Sequence, residues 1–230
     1  LLYRYSNIDA DPEILINDLK VGYHVWFNED ILVTTVLTGD GMDLVVTNFK
    51  DNSSYTVQKN VGRSLHTIPN SNKLSYVSKE GVLWAIKSLD PVSGATEEII
   101  RTYLLKEDLC WLEDGTLLTG YGNRLYRYHP MVDKDWKLAH VFKDTDINMI
   151  SRLATNSKAT QLALVADISP EVVVEKQIKA LNSRNLDAFL ETFSDDIKVN
   201  GYGGMALFEG KEMLRKEFMP YFDGTHNLNY

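Results

Sequence analysis

The sequence predicts a multidomain chain, in which an all-β segment at residues 1–168 precedes a smaller α+β segment at residues 169–230. Three observations support this prediction: short apolar runs that repeat, turn signals between those runs, and a change to helical spacing near Ser169. The spacing of apolar residues is about two in a half-buried strand and about 3.6 in a helix, so the change marks a boundary between two kinds of structure.

The repeat is visible in two phases of the first segment. Equivalent positions recur at steps of 42, 43 and 43 residues, at Asn28, Asn70, Glu113 and Asn156. A second set recurs at steps of 42, 39 and 42, at Leu2, Leu44, Leu83 and Leu125. A period of about 40 to 45 residues built from short apolar runs is typical of four-stranded propeller blades. The segment therefore predicts about four blades, and we expect them to be part of a larger ring.

Glycine turns separate the predicted strands. Asp40-Gly41 lies between apolar runs at 31–37 and 44–49. Two further pairs of an acidic residue and glycine follow at Glu80-Gly81 and Asp114-Gly115. Glycine adopts a positive φ without steric cost, so such pairs are strong hairpin signals. In the central unit, we expect strands at residues 74–77, 83–86 and 97–103.

The order of turn, strand, second turn and a run such as Leu125-Tyr126-Arg127-Tyr128 resembles the repeats of the periplasmic TolB-like propeller family and its WD40-like relatives. The resemblance covers residues 1–167. The chain departs from the family pattern where Phe27-Asn28-Glu29-Asp30 replaces a Ser-Pro-Asp-Gly turn. The resemblance favours a bacterial periplasmic or secreted location. The sequence contains no targeting segment, and we expect further blades upstream of its first residue.

Composition disfavours two kinds of partner. The chain carries 24 basic and 32 acidic residues, a net charge of -8, and its Lys and Arg residues do not cluster, so no nucleic-acid partner is expected. No apolar run is long enough to span a membrane. We expect Cys110, within an apolar run, to be a buried inert thiol. The histidines His24, His66, His129 and His140 lack metal-ligand spacing, so the sequence predicts no metal site and no cofactor.

Helical spacing begins at Ser169-Pro170-Glu171. Serine can accept the free backbone N–H groups, proline suits the first helical position, and glutamate favours the positive end of a helix. Val174, Ile178 and Leu181 then follow on one predicted apolar face. A second helix is expected from residue 186, a strand at 197–200, and a third helix after Gly210.

Three stretches of this segment closely resemble the NTF2-like superfamily, in its SnoaL-like and ketosteroid-isomerase-like branch: residues 180–189, 193–197 and 208–212. The resemblance implies a cone-shaped α+β fold, whose helices pack on a curved sheet around an apolar cavity. The chain ends about half way through such a domain, so we expect exposed apolar helix faces. The positions that the resemblance places at the cavity are Gln177, Phe189, Asn200, Tyr202 and Phe208.

Two functions remain open from the sequence. The favoured hypothesis is a non-catalytic binding or scaffold protein: the propeller binds a partner, and the NTF2-like domain binds a small apolar molecule or forms a homo-oligomer. The alternative is an enzyme, either an isomerase, cyclase or dehydratase of the SnoaL-like type or a propeller hydrolase. The resemblance places the isomerase base at Gly201 and a donor tyrosine at Gln177, and neither residue can do that chemistry. The catalytic residues are therefore unknown.

Overall fold

The computed structural model describes residues 1–5, 11–143 and 147–223 and divides the chain into two compact units. The first unit contains Leu1–Lys143 and Met149–Ala166, and the second continues the chain from Asp167. Within the described residues, no helix has the length and apolar character needed to cross a membrane.

The first unit is built from antiparallel strands that pair in chain order. Two two-stranded sheets, β1–β2 and β15–β16, flank three four-stranded sheets, β3–β6, β7–β10 and β11–β14. The strands are β1 (Leu2–Arg4), β2 (Glu13–Ile16), β3 (Val21–Trp26), β4 (Ile31–Thr38), β5 (Gly41–Asn48), β6 (Ser53–Gln58), β7 (Val61–Thr67), β8 (Leu74–Ser78), β9 (Ala85–Leu89), β10 (Thr96–Arg101), β11 (Leu109–Trp111), β12 (Leu117–Tyr121), β13 (Arg124–Tyr128), β14 (Lys137–Val141), β15 (Met149–Thr155) and β16 (Leu162–Asp167).

The core of the first unit lies between neighbouring sheets. In β8, Tyr76 packs in a cluster shared with β4 and β5, while the adjacent Val77 packs in a cluster shared with β11, β12 and β13. Successive side chains of a strand point to opposite faces, so each middle strand contributes to two cores. The first strands of the larger sheets, β3, β7 and β11, lie side by side with β15. We call these four the inner strands.

Local turn chemistry places two of the predicted glycines as expected. Gly81 and Gly115 have φ of +78° and +86° and lie in the loops before β9 and β12. The first hairpin differs from the prediction by one residue. Its two-residue loop is Gly39-Asp40, and Gly41 begins β5 opposite Thr38.

Two predicted strands in the central sheet have different limits in the structure. β9 begins at Ala85, and Leu83 lies in the preceding loop with 59% of its surface exposed. The outer strand ends at Arg101, and Tyr103 begins a short 3-10 turn. Tyr103 leaves the sheet because its ring stacks on Tyr126, with 3.9 Å between ring centroids, a tertiary contact that strand periodicity does not encode.

The described part of the second unit contains three helices and a hairpin. Its elements are α1 (Pro170–Asn182), α2 (Leu186–Leu190), β17 (Lys198–Asn200), β18 (Ala206–Glu209) and α3 (Lys211–Phe222). The predicted helix start is confirmed, since Ser169 is the N-cap and its Oγ accepts a 3.4 Å hydrogen bond from the N–H of Val172. Asn185 caps α2 in the same way through the N–H of Ala188.

Phe189 is the centre of the second unit's core. Its ring lies 5.1 Å from Phe193, 5.0 Å from Phe218 and 5.3 Å from Phe222, measured between centroids. On α1, Ala180 packs in this cluster.

The predicted apolar face of α1 is partly covered and partly exposed. Leu181 packs against the aromatic cluster, Val174 and Ile178 are 50% and 49% exposed, and the buried residues of the helix are Val172 and Ala180. Helical spacing identified apolar positions, but the packing of α1 against α2 selects which of them are covered.

We expect Leu74→Ala to destabilise the first unit by about 2–5 kcal/mol, because Leu74 is completely buried between two sheets and its loss leaves a cavity. Chemical denaturation followed by tryptophan fluorescence would measure this change. Val92→Ala is the matched control: Val92 is 72% exposed, and a change within about 0.5 kcal/mol is expected. Equal effects of the two substitutions would contradict the inter-sheet core.

Candidate functional site

The inner strands line three neighbouring cavities in the first unit, of about 500, 410 and 220 Å³. The first two share Leu65 and His66, and the last two share Arg63, Asp108 and Arg152. We call this region the inner-strand cleft. The volumes of its two larger cavities are within the range of ligand-binding clefts, and its lining is both apolar and charged.

Arg63 on β7 connects three parts of the cleft. Its backbone N–H donates to Glu107 Oε2 at 3.2 Å, its Nε donates to Asp108 Oδ2 at 3.3 Å, and its terminal Nη2 donates to the Ser151 carbonyl at 3.2 Å. The two bonds from Nε and Nη2 hold the guanidinium in one orientation. About a quarter of the Arg63 side chain, 26%, remains exposed.

Asp108 receives bonds from two neighbouring strands. Its Oδ1 accepts the N–H of Leu153 at 2.8 Å, and its Oδ2 lies 3.5 Å from Nη1 of Arg152. Burial raises the pKa of Asp108, and the Leu153 N–H and the Arg63 guanidinium partly offset that rise. The same Nη1 of Arg152 donates to the Ser151 carbonyl at 2.9 Å, and 44% of the Arg152 side chain remains exposed.

Gly62 makes room for the carboxylate of Glu107, the second acid beside Arg63. A Cβ at this position would lie 2.6 Å from Glu107 Oε2 and 3.0 Å from Val77, so a larger residue would displace the acid. Glu107 also forms a 2.7 Å ion pair with Lys79, whose Nζ lies 4.5 Å from the centroid of the Trp84 ring.

The contacts between inner strands repeat along the chain. Ser64 Oγ accepts the N–H of Leu109 at 3.3 Å, as Asp108 accepts the N–H of Leu153, and both bonds join residues 45 apart. Ser64 and Asp108 therefore occupy equivalent places in successive sheets. Sequence reasoning missed both, although one signal was available: buried leucines at 65, 109 and 153 recur at steps of 44 directly after these polar residues.

The cleft also contains buried titratable groups. Burial lowers the pKa of His66, and a hydrogen bond with the backbone of Leu109 partly offsets the change. The Cys110 thiol is buried, and burial raises its pKa to about 12, so it is a neutral thiol near pH 7. Within residues 1–5, 11–143 and 147–223, no group of three or more His, Cys, Asp or Glu side chains has a metal-binding arrangement.

The five residues predicted to line an NTF2-like cavity lie in the second unit, at different kinds of position. Phe189 is buried in the aromatic cluster, and Gln177 and Phe208 are half-buried on α1 and β18. Asn200 ends β17 with its side chain exposed, and Tyr202 is fully exposed in the following turn. The largest cavity described in this unit is lined by none of the five. Their role as ligand contacts stays a prediction.

Comparisons with known proteins inform the fold of the first unit. No family model matches the sequence, and no curated protein matches it. The crystal structure of TolB from Acinetobacter baumannii superposes with a TM-score of 0.55 at 10% identity, over 73% of this chain and 43% of TolB. The first unit is β-propeller-like. The tricorn protease gives a TM-score of 0.45 at 12% identity, over 67% of this chain and 16% of that protein.

The similarity shows the fold alone, and this chain spans less than half the length of the TolB structure. The prediction of propeller repeats is confirmed at that level. The described sheets of the first unit, three of four strands and two of two strands, form an open series rather than a closed ring.

We expect mild acidification to destabilise the first unit through His66. Because the pKa of His66 is lower in the folded chain than the ordinary 6.5, the unfolded chain binds the proton first. The contribution of neutral His66 to the free energy of unfolding is complete above about pH 6.5. It is lost as the pH falls through the pKa of His66 in the folded chain. The cavity that contains His66 is also lined by charged and titratable residues: His24, Arg63, Asp108 and Arg152. The raised pKa of Asp108 has the opposite effect on stability, since the folded chain binds that proton first.

Thermal unfolding midpoints at about pH 7.5 and about pH 5.5 would measure this dependence. His66→Gln should show a smaller loss of midpoint between the two conditions than the unchanged chain. An identical loss in both proteins would assign the acid sensitivity to other groups.

Proposed function

We propose that this chain is a non-catalytic binding protein and that its propeller-like segment binds a protein partner in the inner-strand cleft. The observation that carries the proposal is the pair Arg63 and Arg152, both joined to Asp108 but still partly exposed. Guanidinium groups that are already oriented lose little side-chain freedom when they bind a carboxylate. The cleft thus offers rigid polar contacts beside apolar walls, as a recognition surface requires.

The charge of the cleft indicates the chemistry of the partner. Arg63, Lys106 and Arg152 line its smallest cavity together with two acids, Glu107 and Asp108. Both acids already have cationic neighbours within the chain. The protein has a net charge of -8, but this cavity is a local site that can bind negatively charged groups. We propose that the partner contributes a segment rich in Asp and Glu.

Selection of phage-displayed peptides on the purified chain would test this proposal. We expect the selected peptides to be acidic and to lose about tenfold in affinity for Arg152→Glu, since a charge-assisted contact becomes a repulsive one. Lys50→Glu is the matched control, because Lys50 is an exposed turn residue that lines none of the three cavities. Peptides that bind both variants equally would contradict the proposed site.

We further propose that residues 169–230 form the N-terminal half of an NTF2-like domain, which binds a small apolar molecule or mediates dimerisation. The order helix, helix, strand, strand, helix and the buried Phe189 support this interpretation. Partly exposed apolar residues on two helices, Val174, Ile178 and Met213, support an association surface.

A truncated chain ending at Ile168 would test the proposed boundary between residues 1–168 and 169–230. We expect it to retain the cooperative unfolding transition of the first unit, because the described inter-sheet clusters of that unit contain no residue beyond 168. Calorimetry of the truncated and full chains would show this directly. A broad, non-cooperative transition after truncation would overturn the two-domain proposal.

A further inference from the structure

A cavity of about 590 Å³ lies beside the first two helices of the second unit. Residues of α1, Ala188 of α2 and residues flanking α2 line it. We call it the α1/α2 groove, defined by Ile168, Val173, Lys176, Lys179, Ala180, Ser183, Asn185, Ala188, Glu191 and Thr192. Its volume is sufficient for a small organic molecule.

The apolar part of the groove is made by small and branched residues. Ala180 of α1 and Ala188 of α2 both line the groove and both pack against the aromatic cluster of Phe189. Val173 and Ile168 extend the apolar surface toward the beginning of α1. Two alanines at the contact leave open a space that larger side chains would fill.

Most uncharged polar groups of the groove already have partners. Ser183 Oγ donates to the Lys179 carbonyl at 2.8 Å, and Thr192 Oγ1 donates to the Phe189 carbonyl at 2.6 Å. Asn185 Oδ1 accepts the N–H of Ala188 at 3.0 Å. These bonds complete the helix ends, so they stabilise the walls of the groove rather than offer contacts to a ligand.

The charged groups are different. Lys176 and Lys179 lie one turn apart on α1, and Glu191 is the single acid of the lining. The ion pairs found among the described residues of this unit use the cations of Lys198, Lys211 and Arg215, not those of the two groove lysines. The groove therefore combines an apolar floor with an excess of one positive charge.

From this combination we infer that the α1/α2 groove binds an amphipathic anion, with its aliphatic body on Ala180, Ala188 and Val173 and its carboxylate at Lys176 and Lys179. Exposed ion pairs contribute little by themselves, so the apolar body supplies the affinity and the lysines select the charge. The inference assigns a site and a charged ligand class that the proposed function does not give, because the groove shares no residue with the five predicted cavity positions or with the inner-strand cleft.

Titration calorimetry of the full chain with three probes would test the inference. Dodecanoate should bind with one site per chain. Dodecanol, which lacks the charge, should bind about tenfold more weakly, and butyrate, which lacks the apolar body, should give no measurable binding. Equal affinity for dodecanoate and dodecanol would overturn the role of the lysines, and no binding of dodecanoate would overturn the site.

Two variants locate the binding. Ala188→Leu fills the groove and should abolish dodecanoate binding. The double variant Lys176→Glu, Lys179→Glu should weaken dodecanoate at least tenfold and leave dodecanol unchanged. Lys216→Glu, an exposed position on α3 outside the groove, is the charge-matched control and should bind as the unchanged chain does.

The unfolding midpoint of each variant shows whether the second unit still folds. If Ala188→Leu has no cooperative unfolding transition, the dodecanoate affinity of the double lysine variant tests the site instead. Dodecanoate affinity that survives in the lysine variant, or in a folded Ala188→Leu protein, would mean adsorption to exposed residues such as Ile178 and would overturn the inference.

Discussion

The first unit depends on the packing of neighbouring sheets against each other. In β8, every residue is buried, and alternate side chains enter cores shared with the preceding and the following sheet. A single four-stranded sheet with two apolar faces would expose both to water. Stacking neighbours buries them, so the stability of each sheet is inseparable from that of the next.

The polar contacts of the inner strands follow from this stacking. Once the sheets are side by side, Ser64 and Asp108 can each reach the backbone of the next inner strand. Burial makes an unpartnered carboxylate costly, and Asp108 meets that constraint with a backbone N–H and two guanidinium groups. The same contacts hold Arg63 and Arg152 at the cleft. An arrangement that satisfies buried charge thus also presents cations to a partner.

The second unit is organised by an aromatic cluster rather than by repeated sheets. Phe189 gathers rings from α3 and from the segment after α2, while small residues, Ala180 and Ala188, mark the approach of α1 to α2. The same two alanines pack against the aromatic cluster and line the α1/α2 groove. The core and the groove of this unit therefore share residues with small side chains.

The sequence by itself determined the features that depend on neighbouring residues. Ser169 caps α1, Gly81 and Gly115 take positive φ in loops, and the repeat of about 40 to 45 residues produces successive sheets, because capping, turn geometry and strand period are local properties. Tertiary structure decided the rest. It turned α1 so that Ala180 is covered and Ile178 is not. It also brought Arg63 to Asp108 across 45 residues of chain, since long-range packing, not local preference, sets which side chains meet.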